Sequence, residues 1–302
     1  MKIMTTRKLL PLLFALNACL LAEKAAQTVY KTESNITYCE VDGKKLILNA
    51  FLPQGIDKPA PAMVHIHGGW WSGGGPMRRF GGGRFAPFTT RKIAVFSIRY
   101  RLGKQGGFPE NIRDCRNAVR FVRKNAKRFN IDPDRIGCFG GSAGGHLSMM
   151  VGMAPEDFKD GGPMAGLEGI SPKVSSAFAW VGPTDFIRQW NESVPGKPNN
   201  AQPYHRVLFK GRIPDTEENK AHYLYMSPMG HVRKEIPPML VCDGEKDPIV
   251  PNQPGLTLTE ALKKVGADAT YWLTRNGGHG FPGGKGFPEL LGDFLSRTLD
   301  IE

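Results

Sequence analysis

The sequence predicts an α/β fold, a mainly parallel sheet covered by helices on both faces. Three observations predict it. Short β-rich runs alternate with segments of helical periodicity along most of the chain. Glycine clusters follow directly on several of those runs, where a strand hands over to a loop or a helix. The composition, 40% hydrophobic and 23% charged over 302 residues, suits one large globular domain and excludes a disordered chain.

Taken in order, Asn35–Leu52 holds two extended stretches around the Asp42-Gly43 turn, a hairpin that gives the sheet an antiparallel edge. Ala62–His67 is a short apolar strand ending in glycines, and Ile93–Tyr100 is another, followed by the turn Gly103–Gly107. Asn111–Phe129 carries Ile112, Cys115, Ala118, Val119, Val122 and Ala126 at helical spacing until Asp132-Pro133 stops it. Arg135–Phe139 is a strand that turns at once into a small-residue helix over Gly140–Met153. Val174–Val181, Pro238–Val241 and Ala269–Leu273 are strands; Leu256–Val265 and Phe287–Leu299 are helices. Phe186–Pro237 does not alternate and contains Pro/Asn-rich Pro195–Pro203, so it reads as a short cap inserted over the C-terminal end of the sheet.

Met1–Ala22 reads as an export signal: Lys2, Arg7 and Lys8 precede the apolar run Leu9–Ala22, leaving residues 23–302 as one folded domain. Leu16-Asn17-Ala18-Cys19 resembles a lipobox, so a membrane partner is expected only through a lipidated Cys19; a periplasmic or secreted location follows otherwise. The remaining cysteines, Cys39, Cys115, Cys138 and Cys242, are too few for a disulfide-stapled scaffold and have no metal-ligand spacing. Without the three basic residues of the leader, the net charge of +12 becomes about +9. Arg113, Arg116, Arg120, Arg123, Lys124, Lys127 and Arg128 recur along one helix and read as its solvated face; no interleaved aromatics or motif suggest nucleic acid.

Gly140-Gly141-Ser142-Ala143-Gly144 lies between a predicted strand and a predicted helix and fits a G-x-S-x-G elbow. Such a turn pushes the Ser142 hydroxyl into a cleft and aims a helix N-terminus at it. His67-Gly68-Gly69-Trp70-Trp71 ends an earlier strand, and its glycines let backbone N–H groups approach a reacting carbonyl. With the N–H of Ala143 they would form an oxyanion hole, His67 holding the loop. Trp70 and Trp71 are expected either to bind substrate in the cleft or to anchor the loop. His279, in a glycine-rich loop past the last predicted strand, is the base, while His146 reads as a packed residue and His205, His222 and His231 as surface or insertion residues. Asp247, beyond the strand at Pro237–Cys242, is the acid, with Asp243 and Glu245 as competitors that shape the turn. The order Ser142, Asp247, His279 is that of a serine hydrolase working through an acyl-enzyme.

These motifs, with Gly182-Pro183-Thr184-Asp185, resemble the α/β-hydrolase superfamily over nearly the whole mature chain. Within it they are similar to the esterase/lipase branch and to the group of bifunctional acetylxylan and feruloyl esterases. The resemblance implies a sheet of about eight strands, hydrolysis of carboxylic esters, no metal or organic cofactor, and oxyanion donors at the N–H groups of Gly69, Trp70 and Ala143. Two departures stand out: Trp70 replaces the third glycine of hormone-sensitive-lipase-like enzymes, and Gly141 replaces their Asp before the nucleophile. The expected function is an exported serine esterase acting on a small-molecule or polysaccharide ester such as an acylated carbohydrate. The H-G-G-x-W form is also similar to kynurenine formamidases, which keeps amide hydrolysis open beside a short-chain lipase. A non-catalytic envelope binding protein is the alternative of a different class.

Overall fold

Eight strands form one sheet in the order β1-β2-β4-β3-β5-β6-β7-β8 in a computed structural model that describes residues 28–155, 158, 162–191 and 206–301. The strands are β1 (Tyr30–Val41), β2 (Lys44–Pro53), β3 (Ala60–Ile66), β4 (Ala94–Ile98), β5 (Ile131–Gly141), β6 (Ala177–Trp180), β7 (Met239–Gly244) and β8 (Ala269–Thr274). The expected hairpin supplies the antiparallel edge: β1 pairs with β2, and β2 runs antiparallel to β4. From β4 onward every pairing is parallel, as the strand–helix alternation predicts. This is the α/β-hydrolase fold. The expected leader, Cys19 and Pro195–Pro203 lie outside the described residues.

The helices are α1 (Ala86–Thr89), α2 (Glu110–Lys124), α3 (Ala126–Phe129), α4 (Ala143–Met153), α5 (Phe186–Asn191), α6 (Glu217–Met226), α7 (Gln253–Lys264) and α8 (Phe287–Thr298) among the described residues. Because successive strand side chains point to opposite faces, the parallel strands feed two cores. Val64, Cys138 and Val241 pack with Ile112 of α2, Leu147 of α4 and Leu258 of α7. Met63, Phe139 and Leu240 pack on the other face with Phe88 of α1 and Leu291 and Leu295 of α8. Phe186, Phe209 and Tyr223, from the segment expected to be a cap, are buried in the first core.

Two expectations need correction. The helix expected over Asn111–Phe129 breaks at Asn125, whose side chain and N–H both turn back to the Phe121 carbonyl, and Asn130 closes α3 in the left-handed conformation. Strand β5 therefore starts before Asp132-Pro133, with a register shift against β3 that accommodates the proline. The basic face of α2 is also not wholly solvated: Arg116 and Arg120 are buried. Arg116 donates to Pro155 O at 2.8 Å, Arg120 to Ile170 O at 3.0 Å, Arg123 to Ser171 O and Lys173 O, and Lys124 to Gly166 O. An irregular segment has carbonyls without a ladder of their own, and this row of donors satisfies them.

Candidate active site

Ser142 stands at the turn from β5 into α4 with φ 57° and ψ −126°, a region that costs energy for any residue with a side chain. The surroundings enforce the turn. A Cβ on Gly144 would lie 2.0 Å from Ile66 O, so α4 starts in direct backbone contact with the end of β3. A Cβ on Gly141 would lie 2.2 Å from the Trp180 indole nitrogen. The residue before the serine is therefore glycine because Trp180, at the end of β6, occupies the space an aspartate would need. Trp180 also accepts the Ser142 N–H on its carbonyl at 2.9 Å.

The late loops meet this elbow. His279 Nε2 is 2.9 Å from Ser142 Oγ, and His279 Nδ1 is 2.7 Å from Asp247 Oδ2. With the carboxylate as acceptor, Nδ1 carries the proton and Nε2 accepts from the serine hydroxyl. The Asp247 side chain is fully shielded from solvent, and its Oδ1 accepts the N–H groups of Ile249 and Val250 at 2.8 and 3.1 Å. Three donors thus hold the carboxylate in one orientation. Among the described residues no cluster of side chains suits a metal ion.

The loop after β3 lies beside the serine: a Cβ on Gly68 would be 3.3 Å from Ser142 Cβ. Its N–H groups at Ser72 and Gly73 fold back onto Gly69 O at 3.0 and 2.9 Å, which leaves those of Gly69 and Trp70 outside the loop's internal bonding. Trp70 and Trp71 both take positive φ, 55° each, and only Trp70 is partly exposed. Trp71 is a correction to the substrate-binding expectation: it is 1% exposed and packs edge-on against His146 and Phe186 as an anchor of the loop. His67 also holds the loop, bonding Gly68 O at 2.7 Å through Nδ1 and stacking on Tyr100 at 4.4 Å. Burial pushes it down to about 4, so it is neutral at neutral pH. His146 is fully buried, donates to Met226 O at 2.8 Å, and is likewise pushed down to about 4 by burial.

The competing acids part company. Glu245 accepts the Asn276 N–H at 2.7 Å and so ties the acid loop to the base loop. Asp243 is the last-but-one residue of β7, 3% exposed, and its Oδ2 has no hydrogen-bond partner. Burial, reinforced by the nearby Asp247 charge, pushes its carboxyl up to about 8. Sequence reasoning missed Trp180 and Phe281, which pack edge-to-face at 5.1 Å beside the elbow and the base. The signal for Trp180 was available: a tryptophan at a strand end, just before Gly182-Pro183-Thr184-Asp185.

The chain is 29% identical over 210 residues to a probable carboxylic ester hydrolase, LipM, of Mycobacterium tuberculosis, covering 68% of this chain and 46% of that protein. The chain thus spans about half the length of the curated relatives it matches. A truncated carbohydrate esterase from gut microbiota superposes with a TM-score of 0.77 at 27% identity, over 91% of this chain and 99% of that one. A bifunctional GH43-CE protein of Bacteroides eggerthii gives 0.71 at 25% identity, over 88% of this chain and 38% of that one. A BD-FAE family model matches residues 48–262, most of the sheet together with the elbow and the acid loop, and the chain belongs to the BD-FAE family.

Proposed function

We propose that this protein is an exported serine carboxylesterase that removes acyl groups from carbohydrate or a related small alcohol. The observation that carries the reading is the unbroken chain of hydrogen bonds from Ser142 through His279 to Asp247. The similarity to a carbohydrate esterase and to a GH43-CE protein supports the sugar, and the basic, apolar leader supports export.

In this mechanism Ser142 Oγ attacks the acyl carbon while its proton passes to His279 Nε2. Asp247 fixes the tautomer through Nδ1–H and stabilises the imidazolium without taking the proton. The N–H groups of Gly69, Trp70 and Ala143 receive the oxyanion, Ala143 as the first residue of α4. Collapse of the tetrahedral intermediate breaks the C–O bond, and the alcohol leaves with the proton from Nε2. Water, deprotonated by the same imidazole, then releases the acid and restores Ser142.

The test is hydrolysis of p-nitrophenyl acetate and acetylated xylan, with Ser142→Ala beside the parent and a serine-directed fluorophosphonate as label. The expected outcome is turnover of both substrates and labelling of the parent, with both lost in the variant. Turnover of an N-formyl anilide in place of the esters would shift the reading to amide hydrolysis. An unlabelled parent that hydrolyses nothing would leave a binding protein.

A further inference from the structure

Beside the candidate active site lies a cavity of about 600 Å³ whose walls include Asn35, Asn49, Gly75, Pro76, Arg78 and Arg99. It adjoins the loop after β3 by successive close packing. A Cβ on Gly68 would touch Ser142, one on Gly74 would lie 2.6 Å from Gly68 O, and one on Gly75 would lie 3.3 Å from an Arg99 guanidinium nitrogen. Ser142, Gly68, Gly74, Gly75 and the Arg99 guanidinium therefore lie in one chain of close contacts along the loop after β3.

The cavity is built, with a fixed floor. Asn35 N–H donates to Asn49 Oδ1 at 2.9 Å, Asn49 Nδ2 to Met77 O at 2.8 Å, and Met77 N–H to Ser97 Oγ at 2.7 Å. Ser97 Oγ in turn meets the buried ring of His65 at 2.8 Å. These bonds tie the segment after the glycine loop to β1, β2 and β4. The charge above the floor is uncompensated: neither Arg78 nor Arg99 has a carboxylate partner among the described residues. Glu33, the acid nearest in sequence to the Asn35 wall, is engaged by Lys31 and Arg128.

From this juxtaposition we infer that the cavity at Arg78 and Arg99 is a subsite for a carboxylate-bearing sugar, a uronic acid unit close to the esterified one. A guanidinium fork matches a carboxylate in two parallel hydrogen bonds, and the exposed Asn35 side chain suits sugar hydroxyls. The inference rests on the esterase reading for its acyl chemistry, but the binding it describes does not require turnover.

The experiment uses two acetylated xylo-oligosaccharides of equal length, one neutral and one bearing a glucuronic acid, with the parent and the Arg78→Ala/Arg99→Ala double variant. The parent is expected to favour the acidic substrate by roughly tenfold or more in kcat/KM, mostly through KM, and the double variant to lose that preference. Equal rates on both substrates in the parent, or a preference that survives in the variant, would overturn the subsite. Calorimetry with the deacetylated acidic oligosaccharide decides it independently: binding by the parent that is lost in the variant supports the subsite, and absence of binding refutes it. If p-nitrophenyl acetate is not hydrolysed by the parent, the esterase reading fails while the calorimetric arm still judges the subsite.

Discussion

Two aspartates four positions apart do opposite things because of where their carboxyls point. Asp247 is clamped by His279 and two backbone N–H groups, whereas Asp243 is buried against Gly255, where a Cβ would lie 2.0 Å from its Oδ2. Asp247→Ala is expected to lower kcat by roughly 10³- to 10⁴-fold on p-nitrophenyl acetate with an unchanged circular dichroism spectrum. Asp243→Asn replaces a group that is already neutral at neutral pH and should leave kcat within a fewfold. Its effect belongs to stability. The carboxyl titrates at about 8 when folded against an ordinary 3.8, so between those values the folded chain holds a proton that the unfolded chain has lost. Stability falls as pH rises through that window, and the loss is complete above about 8. Thermal melts should show Asp243→Asn gaining on the parent as pH rises from about 5 to about 9, because the variant has no such proton to lose. The residue types alone could separate the serine and histidine from their competitors, since one sits in a glycine elbow and the other in a late glycine loop. They could not separate Asp243 from Asp247, because the difference lies in burial and in which donors converge on each carboxylate.

The elements meet at the end of β5, where α4 starts against β3 and the Trp180 side chain from β6 covers Gly141. Gly141→Ala therefore places a methyl group into the indole, and overpacking of this kind costs about 1–3 kcal/mol. Urea unfolding should show that loss, together with reduced fluorophosphonate labelling of Ser142. Trp180→Ala should relieve much of it in the double variant, a coupling that two unconnected sites would not show. The strand–helix order was legible because its signal is local: runs of apolar residues punctuated by glycine. The break at Asn125 and the early start of β5 were not, since both depend on a side chain returning to a carbonyl and on pairing with a strand 70 residues away. The basic helix misled for a related reason. Arginines at helical spacing look solvated until a neighbouring segment offers carbonyls, as the stretch after α4 does for Arg116 and Arg120.

At the scale of the whole molecule, two cores flank one sheet, and the four described cysteines are thiols within or beside them. Cys115, Cys138 and Cys242 are buried, and burial pushes their thiols up, away from the reactive thiolate. Only Cys39 is partly exposed. Iodoacetamide applied to the native protein is expected to modify Cys39 alone among these four, and all four in urea, as read by peptide mass spectrometry. Reduction should leave the melting temperature unchanged, because no described pair is bridged.

The strand order also sets a timetable. Ser142 follows a central strand made midway along the chain, while His279 follows β8, the last strand and the far edge of the sheet. A growing chain that has reached α7 carries Ser142 but does not yet contain His279. On the proposed mechanism Ser142 gains its base only once the loop after the final strand is in place, so reaction with a serine-directed probe should report the last step of assembly.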